Sequence, residues 1–445
     1  MLREINEKLH KWKANSLKKA LLLTGARQVG KTYSIREFAN SEFESFVEIN
    51  LLEDTNARNL FCQAKSSKEI LIYLTAIVNK PLIKGKSLIF LDEVQECPEI
   101  ITAIKFLVEE GSYSYVLSGS LLGVELKNIR SIPVGYIETL EMFPMNFKEF
   151  CIANGIKEDA FDYLEDCFIK RKSLLQAYHD KLLGLFHLYL VVGGMPACVK
   201  QFVETNNIAE TVALQQDIIR QYKKDISKYD PANKLYIDSI YELIPSELNA
   251  QNKRFEANKL KKGIKFDRTE NGFLWLTEAG VAIPVYCANE PKFPLMLSRA
   301  RNQLKLFLSD IGLLAAMYMN GMQIKILQRD LAMNFGGIYE NAVAQELRYH
   351  GITPYYYKNN RLGELDFIFE SDGHIIPLEV KSGKDYKKHS ALNHLLGCGS
   401  YEIDTAYVLS NFNISVVGKV VYLPIYMTMF LKPHQPLPTF YHPIL

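Results

Sequence analysis

The chain has 445 residues, 48% of them hydrophobic and 23% charged. That composition excludes a fibrous or mostly disordered chain, and the length allows about three domains of ~150 residues. With 52 Lys and Arg against 50 Asp and Glu, the net charge is +2 and there is no global basic field. Any nucleic-acid role must therefore come from local patches.

Met1 to His10 mix charges with isolated apolar residues and lack the apolar core of a signal peptide. The longest apolar stretch, 182–199, contains Gly184, Gly193, Gly194 and Pro196. It reads as a core helix followed by a loop, so no membrane partner is expected. The seven cysteines are scattered, with no two at a metal-ligand spacing, which predicts reduced thiols and a cytoplasmic address.

Lys19 to Thr24 reads as a short buried strand running into Gly25, Ala26, Arg27, Gln28, Val29, Gly30, Lys31 and Thr32. This is a complete G-x-x-x-x-G-K-[ST] loop, and a helix-compatible segment follows it. The glycines let successive N–H groups curl around an anion, and the helix start adds positive potential. Lys31 is placed to reach the terminal phosphates of ATP and Thr32 to bind Mg²⁺. Farther on, Lys86 to Glu93 is a continuous apolar run ending in two acids, the pattern of a buried parallel strand. Asp92 then belongs to the Mg²⁺ shell and Glu93 polarises water. A third strand, Ser114 to Ser118, ends in Gly119 and Ser120; either serine suits a γ-phosphate sensor or a plain turn.

Strand, phosphate loop, acid pair and polar strand tip resemble the AAA-like ATPases of a bacterial and archaeal family of predicted ATP-binding proteins. That family carries a C-terminal domain of unknown function. The strings that carry the resemblance are Thr24 to Thr32, Leu91 to Gln95, Leu117 to Ser120 and Pro144 to Phe150. Many members have a Gly-Arg pair where this chain has Gly135-Tyr136, so no arginine finger is assigned in cis, although Arg130 lies nearby. This leaves room for an arginine from a neighbouring copy and hence for a homo-oligomer.

The resemblance implies a helical lid over 151–230, in which Arg220, Lys223, Lys224 and Lys228 suit either a phosphate contact or a solvated face paired with Asp217 and Asp225. It also implies a winged helix in 231–330. Leu235 to Leu248 is amphipathic but interrupted at Pro245, Glu270-Asn271-Gly272 is a turn signal, and Val281 to Cys287 reads as a strand. The cations between Lys253 and Lys265 suit a local DNA patch, and winged helices also serve as protein-interaction modules.

Near the C-terminus, Gly337 to Leu347 reads as a helix carrying Glu340. Tyr355 to Lys358 reads as a strand. Gly363 to Phe369 and Ile376 to Lys381 then pair as a hairpin about the turn Ser371-Asp372-Gly373-His374. Strand alternation puts Glu379 and Lys381 on one face. A helical acid, a strand Asp and a Glu-x-Lys pair suit Mg²⁺-dependent phosphodiester chemistry, or form a charged strand face. In this order Glu340, Asp366, Glu379 and Lys381 resemble the motif of the PD-(D/E)xK nucleases, with Glu340, Asp366 and Glu379 as metal ligands and Gln345 at a secondary position.

The expected architecture is α/β: an AAA-like P-loop NTPase core with a parallel sheet (1–150), a helical lid (151–230), a winged-helix region (231–330) and a PD-(D/E)xK nuclease-like domain (331–445). The expected function is ATP binding and hydrolysis coupled to DNA binding or cleavage. The alternative is an ATP-gated switch or signalling ATPase whose nuclease-like domain is inactive.

Overall fold

A computed structural model describes residues 1–15, 17–64, 66–78, 81–119, 133–229, 234–250, 252–255, 270–318, 321–328 and 335–433. They form two compact units. Unit 1 is Met1–Pro144 with Leu274–Val281, and unit 2 is Met145–Phe273 with Ala282–Leu445.

Unit 1 is built on a parallel sheet of β1 (Ala20–Thr24), β2 (Ser45–Asn50), β3 (Ser87–Asp92), β4 (Ser114–Ser118) and β5 (Ile137–Glu141), in the order β2-β3-β4-β1-β5. Every residue of β3 is buried, as expected for an apolar strand covered on both faces. The helices are α1 (Ile5–Ala14), α2 (Lys31–Glu42), α3 (Thr55–Gln63), α4 (Ser67–Ile77) and α5 (Pro98–Glu110). Phe61, Ile70, Ile101 and Ile104 pack with Leu22, Ile89 and Leu117 in the core. Parallel strands all end at one edge of the sheet, so the loops after β1, β3 and β4 converge there.

Unit 2 contains an eight-stranded mixed sheet. Its strands are β6 (Ala282–Ala288), β7 (Arg299–Leu308), β8 (Tyr355–Asn359), β9 (Gly363–Ser371), β10 (His374–Val380), β11 (Ala406–Ser410), β12 (Ser415–Val417) and β13 (Val420–Pro424). The order is β12-β13-β11-β10-β9-β8-β6-β7. β6, expected within a winged helix, pairs with β8, so one sheet runs across the boundary drawn at residue 330. The β9–β10 hairpin closes on Asp372 and Gly373, both with positive φ, the conformation of a two-residue turn matched to strand twist.

Three local expectations change. The Gly193-Gly194 turn leads directly into another helix, Pro196–Thr205, because Pro196 sits at its first position, where no N–H is needed. The two helices, Gln176–Val192 and Pro196–Thr205, meet at 120°. No single helix among the described residues is long and apolar enough to cross a membrane. The helix Lys234–Asn249 continues through Pro245. Glu270-Asn271-Gly272 is the first turn of the helix Glu270–Glu278, not a turn between elements. A Cβ at Gly272 would stand 2.7 Å from Ile240 Cδ1, so the glycine serves close helix packing.

Candidate functional site

The loop after β1 is held by backbone that only glycine adopts easily. Gly25 has φ +128, and a Cβ there would lie 2.1 Å from the Met142 carbonyl oxygen. Gly30 has φ 97 and caps the start of α2. Ala26 and Val29 are buried while Gln28, with φ 64, is exposed. Arg3, ahead of α1, donates to Val29 O at 2.9 Å and to Phe143 O at 2.8 Å, pinning the loop from behind. Lys31 is buried, and its ammonium donates to Gly25 O and Ala26 O, each at 2.9 Å. Burial lowers its pKa to about 8, against the opposing pull of Glu93 and Asp92; Arg27 adds a smaller push in the same direction as burial.

Thr32 Oγ1 donates to Asp92 Oδ2 at 3.0 Å. Ser118 Oγ donates to Asp92 Oδ1 at 2.5 Å, and the Glu93 N–H reaches the same oxygen at 3.0 Å. β4 lies between β1 and β3 in the sheet, which is why Ser118 comes to the Asp92 carboxylate. Glu93 occupies the left-handed region at φ 54, a costly conformation for a non-glycine residue that sites of chemistry often store. Gln95 Nε2 donates to Glu93 Oε2 at 2.5 Å. A threonine hydroxyl touching a buried carboxylate is a hard-oxygen donor set, and it fits Mg²⁺. Ser120 and Arg130 lie outside the described residues. Tyr136 donates its hydroxyl to Glu109 Oε1 at 2.6 Å.

Gly280, at φ +72, packs against this loop, since a Cβ there would stand 2.9 Å from the Ala26 nitrogen. Arg3 carries no motif signature, and Gly280 reads from sequence only as an Ala-Gly turn between helix and strand; neither is legible there as a partner of the phosphate loop.

In unit 2, Glu340 lies on the buried helix Gly336–Tyr349. Asn341, the next residue, accepts from Leu308 N at 2.7 Å and donates to Leu308 O at 3.0 Å. That clamp sets Glu340 beside Lys305 of β7. In the β9–β10 register Leu378 faces Phe367, which puts Glu379 opposite Asp366. Asp366 Oδ2 accepts from Val380 N at 2.8 Å, and Lys381 Nζ donates to Glu379 Oε1 at 2.7 Å. Burial and the Asp366 charge push the Glu379 carboxyl up to about 8, and the same two causes raise Glu340.

Four further residues, Glu364 and three lysines, join the cluster. Lys305 is fully buried, 3.0 Å from Glu364 Oε1 and 3.7 Å from Glu340 Oε2. Lys253 pairs with Glu340 Oε1, so it is not a free member of the expected cation patch; residues 256–269 lie outside the described residues. Lys358 pairs with Glu364 at 2.8 Å. A lone lysine inside the apolar run Leu304 to Leu308 was the available signal for Lys305, because a buried cation needs acids around it. Four carboxyl groups (Glu340, Glu364, Asp366, Glu379) thus meet four ammoniums (Lys253, Lys305, Lys358, Lys381), so the cluster has no excess of negative charge to attract a cation. Glu340, Asp366 and Glu379 do not place one oxygen each within 4.8 Å of one another. This arrangement does not fit a divalent ion held by those three. Gln345 is spent elsewhere, accepting from Ile311 N and donating to the Tyr189 hydroxyl. Arg220 pairs with Asp217 and Lys223 with Glu242, which accounts for two of the four cations named within 151–230 as a solvated face.

Comparison with known proteins places an AAA domain over residues 17–151. Residues 183–324 match a domain of unknown function, DUF8612, and residues 335–426 another, DUF4143. No protein of curated function matches the chain. Among solved structures, a Walker-type ATPase of Pyrococcus abyssi is 14% identical, with 71% of this chain and 95% of that chain covered at a TM-score of 0.44. The Orc1 protein of Aeropyrum pernix, solved in complex with DNA, is 12% identical over 74% and 93% of the two chains at 0.27. The RuvB Holliday junction branch migration motor of Thermotoga maritima is 14% identical over 66% and 91% at 0.29. Likenesses at these scores add nothing to what the strands themselves show. The phosphate loop, the buried Asp92 and the matched domain agree: the N-terminal part of the chain is a P-loop ATPase domain of the AAA type.

Proposed function

We propose that the protein hydrolyses ATP with Mg²⁺ at Gly25 to Thr32 and Asp92, and that this cycle governs a DNA-handling part in unit 2. The observation that carries the reading is the Asp92 carboxylate, buried at the tip of β3 and held between Thr32 and Ser118. On nucleotide binding Lys31 exchanges its two carbonyl partners for phosphate oxygens. Thr32 and Asp92 would hold the ion, which would supply charge neutralisation at the phosphates. Glu93 orients water, and Ser118 keeps Asp92 in place. Helical-lid, winged-helix and PD-(D/E)xK-like assignments, a cytoplasmic address and a homo-oligomer that lends an arginine belong to the same reading. Chain continuity supports the coupling: Leu274–Val281, which brings Gly280 to the loop, runs directly into β6 of the sheet that carries Asp366 and Glu379.

For unit 2, the lysines standing on Glu340 favour DNA binding without cutting. Exposed Lys384 and Lys387, with Tyr386 stacked on Phe412 at 4.2 Å, supply a surface for a phosphate chain and its bases. The test is phosphate release with and without DNA, alongside strand cleavage in Mg²⁺ or Mn²⁺. DNA-stimulated hydrolysis, lost in Lys31→Ala and Asp92→Ala, is expected with intact DNA. Cleavage that disappears in Asp366→Ala and Lys381→Ala would instead make unit 2 a nuclease. Hydrolysis surviving in both P-loop variants would remove the nucleotide assignment.

A further inference from the structure

Cys62 lies near the C-terminal end of α3, and Cys97 immediately precedes α5. Distant in sequence, their sulfurs and a Glu99 carboxylate oxygen lie within 4.8 Å of one another. Among the described residues this is the one trio of metal-binding side chains so placed. The two helices bring them together through the unit 1 core, where Ala57 and Phe61 of α3 pack with Ile100, Ile101 and Ile104 of α5.

Cys97 Sγ stands 3.7 Å from Glu99 Oε2. Bonds of about 2.0–2.3 Å to a tetrahedral zinc ion make ligand–ligand edges of about 3.3–3.8 Å. The thiol donates to the carboxylate at this separation, and an ion replacing the shared proton needs little movement of either ligand. Two thiols with one carboxylate select a thiophilic ion over Mg²⁺ or Ca²⁺, which take oxygen alone.

The backbone is set for this. Cys97 N donates to Val94 O at 3.1 Å, Ile100 N donates to Cys97 O at 3.1 Å, and Pro98 occupies the first position of α5. The Cys97 thiol is turned to the Glu99 carboxylate. Arg58, one turn before Cys62 on α3, pairs with Glu96 at 3.3 Å, which ties α3 to the turn just ahead of Cys97. Glu99 is exposed, so water can complete the coordination.

We propose that Cys62, Cys97 and Glu99 form a binding site for a divalent ion of the zinc class, with water as the fourth ligand. The ion takes two thiolates and one carboxylate, and the two thiol protons leave to solvent. It shares no residue with the nucleotide site, and its test reads the metal alone.

The full-length, reduced and metal-stripped protein is titrated with Co²⁺ and then with Zn²⁺, without nucleotide. One equivalent of Co²⁺ is expected, with thiolate-to-cobalt charge-transfer absorption that Zn²⁺ abolishes. Cys62→Ser and Cys97→Ser should each weaken binding by at least about tenfold, the lower end of what even an outer-shell partner costs. Glu99→Gln, at an exposed position that leaves folding unaffected, should weaken binding and keep the charge-transfer band. Absence of that band, or unchanged affinity in Cys62→Ser or Glu99→Gln, would overturn the site. So would a reduced protein that binds no zinc and instead closes a Cys62–Cys97 disulfide in air.

Discussion

At the scale of single residues, the nucleotide site rests on partners that the loop motif does not name. Arg3 makes two charge-assisted bonds to the carbonyls of Val29 and Phe143, each worth about 1.5–3 kcal/mol. Since 1.4 kcal/mol is a factor of ten, Arg3→Ala is expected to weaken ATP binding by about tenfold in calorimetry. Ser118 acts through Asp92 and is a positioning residue. Ser118→Ala should lower kcat by about 10–100-fold, the range for losing a partner of a metal-holding group, with KM little changed. Gly280→Ala should act like Arg3→Ala, because its Cβ would press on the Ala26 nitrogen and its φ of +72 disfavours a side chain. The loop itself could be read from sequence, since its glycine spacing is a local requirement of anion binding. Arg3, Gly280 and Lys305 could not, because each earns its place only through chain folded back from far away.

At the scale of elements, strands with strong patterns were readable and their junctions were not. β1, β3, β4 and the β9–β10 hairpin form where apolar runs and turn residues place them. The helix through Pro245 and the helix starting at Glu270 ran against local signals, because Ile240, Ile244, Leu248 and Phe273 are buried and packing outweighs one proline or one glycine. Gly193-Gly194 shows the same dependence. Asp310 of unit 2 accepts from Gly194 N at 2.6 Å and from Leu313 N at 3.0 Å, so the glycine pair answers to a carboxylate far along the chain. Burial pushes that carboxyl up from 3.8 to about 6, despite the N–H groups that favour its charged form. The folded state therefore prefers the proton. The stability Asp310 contributes is fullest below its unfolded pKa and is lost as pH rises through about 6. In urea unfolding, the advantage of wild type over Asp310→Asn should shrink between about pH 4 and pH 7, by on the order of 3 kcal/mol. A constant difference would mean that the carboxyl titrates normally.

At the scale of the whole molecule, one chain joins a P-loop domain to a sheet carrying a neutralised carboxylate–lysine cluster. The order of the motifs was readable, and so were the helix, strand and hairpin that carry Glu340, Asp366, Glu379 and Lys381. What the sequence hid is the company they keep. Lys253 and Lys305 bring to Glu340 the positive charge a metal ion would carry, and that changes the chemistry expected of the cluster. Lys305→Ala should remove the buried partner of Glu364 and one of the two ammoniums on Glu340, and destabilise unit 2 by about 3–5 kcal/mol in chemical denaturation. The central claim is that ATP is hydrolysed at the Asp92–Glu93 tip of β3. It is tested most directly by measuring ATP binding and phosphate release together in wild type and Glu93→Gln. The account predicts that binding is kept while turnover falls by at least about a hundredfold, the lower range for losing a general base. Undiminished turnover in Glu93→Gln would contradict it.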